Sequence, residues 1–304
     1  MAVILVGCGL ALRQSNGEDR GDNPFPPALL RWVADGENPI FTGGGPGAWD
    51  ERIRERGWIL RDGGKWHFWY TGYNLGKSDL RRLGYATSED GIRWKRISSS
   101  PLVADEWVED MQVVRDGGEF IMVAEGRGDI AHTLRSDDGV HWTGYERLDV
   151  RKQNGDPISE GPYGTPTLFR DGDTWYLFYE RGDRGIWVAT SKDRKVWTNV
   201  SDTPVIALGP EAYDRYAIAL NQIIKIDGRY YAVYHANADP KWRGDWRMCL
   251  AVSDDLIEWQ KCPANPILEG DFSSGQLVAV DDGFRLYTPH PTLRVFHPSG
   301  EQNQ

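Results

Sequence analysis

A chain of 304 residues with 40% hydrophobic content, 35 glycines and 17 prolines can bury a substantial core among many short segments and tight turns, which excludes a disordered or fibrous protein. The formal net charge of −10 repels nucleic-acid phosphates and anionic membrane surfaces, and no apolar run reaches the roughly 18 residues that span a bilayer. Neutral partners are the easier expectation.

The chain opens MAVILVGCGL, in which Leu5-Val6-Gly7-Cys8 has the form of a bacterial lipobox, and the polar stretch QSNGEDRGDNP comes next. Two readings stand. Either Cys8 carries a lipid after export, which places the protein outside the cytoplasm, or the apolar start is accidental and the protein is cytoplasmic. Residues 1–28 are read as this N-terminal segment and 29–304 as one domain.

From Trp32 the segment RWVADGENPIF matches WQKCPANPIL far downstream, yet no strand unit precedes it. Beyond it the chain repeats. LGYATSEDGIRW, AHTLRSDDGVHW, IWVATSKDRKVW and LAVSDDLIEW each join a strand to a Ser-x-Asp turn and a tryptophan, with Ser88, Ser136, Ser191 and Ser253 spaced as expected for four-stranded propeller blades of roughly 50 to 60 residues. Blade 1 is expected from about Trp49 through GWILRD, KWHFWYTG, RRLGYATS and WKRISSSPLV. Blade 2 is MQVVRD, EFIMVAEG, IAHTLRS and WTGYERLDV; blade 3 is GTPTLFRD, TWYLFYER, GIWVATS and WTNVSDTPVIA; blade 4 is NQIIKID, RYYAVYHA, WRMCLAVS and WQKCPANPIL. The turns RDGG, RDGG, RDGD and IDGR carry hairpin chemistry. QLVAVDDGFRLYTPHPTLRVFHPSG supplies only three further strands, so Leu30 to Phe41 is expected to pair with Thr292 to His297 and close an all-β ring of five blades. The Ser-x-Asp turns read as structural. Cys249 and Cys262 read as free thiols more readily than as a disulfide, and no metal or cofactor motif is present.

Inner-strand starts and second-strand ends meet on one face of a propeller. The starts supply Asp50, Glu55, Glu109, Asp110, Glu160 and Asp214, and the ends supply Tyr73, Glu125, Arg127, Glu180, Arg181, His235 and His290. Crowded carboxylates shift one another's pKa and suit acid and base work, while Trp49, Trp107 and Tyr163 beside them can stack on sugar rings.

Taken together, the chain resembles the five-bladed propeller glycoside hydrolases, the group of families 43, 32, 62, 117 and 130. Ser159-Glu160-Gly161-Pro162 is similar to the Glu-Gly-Pro motif of family 43, whose glutamate is the general acid. The resemblance implies Glu160 as acid, Asp50 as base, and Asp110 or Glu109 as the group that tunes the acid; Glu55 fits the family's spacing to the second strand better than Asp50 does. It also implies an exo-acting, inverting hydrolase of oligosaccharides, monomeric or a small homo-oligomer, working without a cofactor. Trp49, Glu55, Tyr73, Arg127, Tyr163, Glu180, Arg181, Asp214, His235 and His290 would line the substrate. Arginine contacts to phosphate would instead indicate a phosphorylase of the same fold, and a fully salt-bridged axis a non-catalytic carbohydrate-binding propeller.

Overall fold

The computed structural model describes residues 23–300 apart from 160, 269 and 282. After a short turn at Pro27–Leu29, the strand β1 (Trp32–Ala34) precedes the first blade, β2 (Arg52–Asp62), β3 (Lys65–Asn74), β4 (Ser78–Ser88) and β5 (Lys95–Arg96). Blade 2 is β6 (Glu109–Asp116), β7 (Glu119–Gly126), β8 (Ile130–Ser136) and β9 (Thr143–Arg147). Next comes β10 (Asp149–Arg151), then blade 3 with β11 (Gly164–Asp171), β12 (Thr174–Glu180), β13 (Gly185–Ser191), β14 (Val196–Asn199) and β15 (Ile206–Ala207). Blade 4 is β16 (Ala217–Ile226), β17 (Arg229–Asn237), β18 (Trp246–Ser253) and β19 (Gln260–Lys261). Blade 5 is β20 (Gln276–Val280), β21 (Gly283–Thr288) and β22 (Arg294–Pro298), with β1 as its outer strand.

The ring closes as the sequence suggests. Trp32, Val33 and Ala34 pair antiparallel with Pro298, His297 and Phe296, and Phe41 bridges Leu293. The likeness of ENPIF to ANPIL has a physical cause. Asn38 grips the backbone of Val295 through both amide atoms (2.7 and 2.8 Å), and Asn265 grips Leu250 in the same way (3.0 and 2.8 Å), so each asparagine ties an outer segment to the third strand of its blade. One expected strand divides: Thr143 to Arg147 stays in blade 2, whereas Asp149 to Arg151 crosses to pair in parallel with β14 of blade 3. Phe25, read from sequence as part of the leading segment, is buried with Leu29 against blades 4 and 5.

The inner hairpins turn in two residues, as at Gly63-Gly64 and Gly117-Gly118, where positive φ at both positions matches the strand twist. In all four Ser-x-Asp turns the serine hydroxyl accepts two backbone amides, the aspartate accepts amides beyond it, and in three the tryptophan indole donates back to the turn. The core lies as wedges between neighbouring blades: Trp58, Trp69, Phe120 and Met122 fill the gap between blades 1 and 2. Nearer the axis, Gln112, Gln222 and Gln276 each bond both the N–H and the C=O of a residue on the next inner strand, Leu168, Leu277 and Ile59. Cys249 and Cys262 are buried free thiols.

Candidate functional site

The inner strands break register at one level of the funnel, between Arg54 and Trp58, Glu109 and Gln112, Gly164 and Thr167, and Leu220 and Gln222. At three of these bulges a non-glycine residue takes a left-handed backbone: Glu55 (φ 52°), Asp110 (φ 46°) and Thr165 (φ 44°). Bulges re-aim side chains, and a strained φ held by its surroundings marks a position where orientation matters. Arg54, Glu109, Gly164 and Ala219 recur every 55 residues and stand opposite Thr71, Glu125, Glu180 and His235.

Arg56 closes the floor. Its fully buried guanidinium donates to the carbonyls of Asp110, Pro166, Leu220 and Asn221 and to the Thr167 hydroxyl, joining blades 2, 3 and 4 to blade 1. Burial lowers its pKa to about 10 against the pull of Asp110 and Glu125, which leaves it charged at neutral pH. The funnel is therefore a dead end.

Above this floor seven carboxyl groups converge. Burial, together with Glu55 and Glu109, raises Asp110 well above the usual carboxylate range; burial, together with Asp110 and Glu180, does the same to Glu125. Glu125 accepts the N–H and hydroxyl of Thr165, and Glu180 accepts the amides of Gly164 and Asp183. Glycine at 164 leaves room for both carboxyl groups, since a Cβ there would lie 2.3 Å from a Glu125 oxygen and 2.4 Å from a Glu180 oxygen and would push them aside. Burial lifts Glu180 to about 7 and, with the charges of Glu180, Asp129 and Glu55, lifts Asp183 to about 8. Asp129 and Glu109 are also raised by burial. Glu55 goes the other way: although burial opposes ionisation, Arg54 holds its pKa below the ordinary value. Arg54 bridges Glu55 and lies 2.7 Å from Glu109. Arg81 lies over Tyr73 (4.5 Å) and Trp107 (5.1 Å), with the Trp107 indole donating to Glu109. His290 Nδ1 accepts the Glu55 N–H at 3.0 Å. His235 bonds Asn221 and is lowered to about 4 by burial, so it is neutral.

Several expected site residues stand elsewhere. Asp50 is 1% exposed and closed over by Arg96 and the Tyr70 hydroxyl, both at 2.8 Å. Asp214 repeats this device in blade 4, buried against Lys261. Trp49 is half-buried with one face stacked on Tyr70, and Tyr163 is buried with its hydroxyl held by Arg147. Arg181 is spent on the Pro162 carbonyl and Ser159. Arg127 lies at the rim, over Trp107 and paired with Asp79. Glu160 lies outside the described residues, as does Cys8. Sequence reading passed over Arg54, Arg56, Asp129 and Asp183. The aspartates were signalled by the matching strings EGRGD and ERGD, whose left-handed Gly-Asp turns (φ 56° and 55° at the aspartates) bond onto the next blade through Tyr163 and Ile218.

No family model matches the chain. An uncharacterized protein of Mycobacterium tuberculosis is 27% identical over 215 residues, which are 64% of this chain and 71% of that protein. The 1,2-beta-oligomannan phosphorylase of Thermoanaerobacter sp. (strain X514) is 24% identical over 216 residues, 67% of this chain and 71% of its own. A solved glycosyl hydrolase from Bacteroides ovatus superposes with a TM-score of 0.72 at 15% identity, covering 90% of this chain and 95% of that one. The fold is that of carbohydrate-active propellers. At such identities the likeness carries architecture, and chemistry has to be argued from the side chains of the funnel. Among the described residues no helix is long and apolar enough to cross a membrane.

Proposed function

We propose that the funnel cleaves a terminal glycosidic bond of an oligosaccharide by direct attack of water. One observation carries this reading: Asp183, pushed up to about 8 by burial and the charges of Glu180, Asp129 and Glu55, shares the funnel with Glu55, which Arg54 holds below the ordinary carboxylate value and whose charge acts on Asp183. Glycoside hydrolysis needs such a pair. Asp183 gives its proton to the leaving oxygen as the bond to the anomeric carbon breaks. Glu55 takes a proton from the water that attacks that carbon from the opposite side, which inverts it. The closed floor at Arg56 admits a chain end rather than a passing chain, which favours exo action.

A second reading, phosphorolysis, draws support from the named phosphorylase relative and from Arg54 and Arg81 beside the carboxylates. The experiment is turnover of nitrophenyl glycosides and of manno- and xylo-oligosaccharides, with and without phosphate, by wild type, Asp183→Asn, Glu55→Gln and Glu160→Gln. Hydrolysis without phosphate, lost in the first two variants and giving the inverted anomer by NMR, is the expected result. Dependence on phosphate selects the second reading, and binding without turnover on the whole panel would overturn both.

A further inference from the structure

Beside the funnel, between blades 3 and 4, lies a cleft of about 310 Å³ whose walls include Arg184, Arg215, Tyr216 and Trp242. Its two arginines are exposed, and among the described residues neither guanidinium has an ion pair, hydrogen bond or ring contact. In this chain carboxylates outnumber basic groups, and at the funnel Arg54 is matched by Glu55 and Glu109. The aromatic walls are equally unspent: Tyr216 is 39% and Trp242 46% exposed. Trp242 also holds a left-handed backbone (φ 55°), costly for a bulky side chain, with its N–H tied to the Asp239 carbonyl.

Two of the cleft's walls neighbour funnel residues. Gly182 and Arg184 flank Asp183, whose carbonyl is fixed by the Ile218 N–H at 2.8 Å. From the other wall, Trp242 contacts Trp246 edge-on (6.3 Å) and Trp246 contacts His235 (5.0 Å), an aromatic path from rim to funnel. An exposed indole offers a platform for a sugar ring, and two unmatched guanidinium forks offer bidentate contacts to a carboxylate or phosphate.

The geometry points to this cleft as a distal subsite for a negatively charged sugar unit, one bearing a carboxylate or a phosphate, of the glycan whose end enters the funnel. The inference rests on the proposed cleavage for its context but is read by binding alone. Titration calorimetry of the full chain with trigalacturonate, a mannobiose capped with mannose 6-phosphate, neutral xylotriose and mannotriose, and inorganic phosphate supplies the test. At least one anionic trisaccharide should bind about tenfold or more tighter than the neutral ones, and whichever does so names the anionic group. The preference should shrink from low salt to about 0.5 M as screening shortens the reach of the arginines. The double variant Arg184→Gln/Arg215→Gln should erase it, Trp242→Ala should weaken neutral and anionic trisaccharides alike, and turnover of a short neutral nitrophenyl glycoside should be unchanged in both. Equal binding of neutral and anionic trisaccharides, a preference that survives loss of both arginines, or phosphate alone binding as tightly as the charged sugars would overturn the inference. Charge-selective binding in a protein that turns nothing over would leave the subsite standing and remove only the proposed cleavage.

Discussion

Asp183 owes its raised pKa to placement. It follows Gly182 in a left-handed turn, its N–H is spent on Glu180, and its half-buried carboxyl feels the charges of Glu180, Asp129 and Glu55. Its folded value, about 8, lies above the value of a free aspartate, so the associated stability is fully present at low pH and is lost as pH rises from about 4 to about 8 while the unfolded chain ionises first. Asparagine at this position removes that loss. Asp183→Asn is therefore expected to raise the thermal midpoint at pH 8 and leave it unchanged near pH 4, a comparison that differential scanning calorimetry makes directly. Turnover should move oppositely, falling about 10²- to 10⁴-fold, the range for loss of a general acid. In the wild type the activity limb above pH 8 should follow ionisation of this group and should vanish in the variant; a surviving limb would assign the proton to another carboxyl.

At the scale of the element, the amide clasps decide how the inner strands hold their height around the axis. Gln276 donates to the Ile59 carbonyl at 2.7 Å and accepts the Ile59 N–H at 2.8 Å, three residues from the Arg56 floor. Gln276→Ala leaves both buried backbone groups without partners and should lower stability by about 2–4 kcal/mol in urea unfolding. Gln276→Glu is sharper. It keeps the acceptor but turns an anion toward a carbonyl, so it should be worse than alanine at pH 7 and recover toward pH 4 as the carboxyl protonates. These clasps were hidden from sequence reading because a lone glutamine in an apolar strand carries no local signal, whereas turn chemistry does: RDGG and the Ser-x-Asp turns act through their own neighbours and so were legible. The same distinction explains the site. Which blade ends bear carboxylates could be read from strand boundaries, but Asp50 and Glu55 differ only in the way the approach to β2 folds. Its path buries the first against Arg96 and lets the bulge turn the second into the funnel.

Across the whole molecule, closure links the termini of the described chain to the chemistry at the axis. Blade 5 lacks an outer strand of its own and takes β1, pinned by three register pairs and by Asn38 gripping both backbone groups of Val295. An unclosed propeller would expose the edge of β22, the kind of edge that invites pairing with another chain. His290, between β21 and β22, accepts the Glu55 N–H and so ties this blade to the bulge that aims the ionised carboxylate. Asn38→Ala should therefore do more than cost about 1–3 kcal/mol for two unpaired backbone groups. Hydrogen exchange should rise first in β22 and β1 and stay slow in β6 to β8, which Gln112 and the wedge of Trp69 and Phe120 hold in place. Activity should fall at temperatures where the ring is still folded, although Asn38 stands at the outer edge of its blade, because a looser blade 5 relaxes the bond that fixes Glu55. Exchange rising equally in all five blades would mean instead that the ring opens only as a unit, and then the activity of Asn38→Ala should track the folded fraction and nothing else.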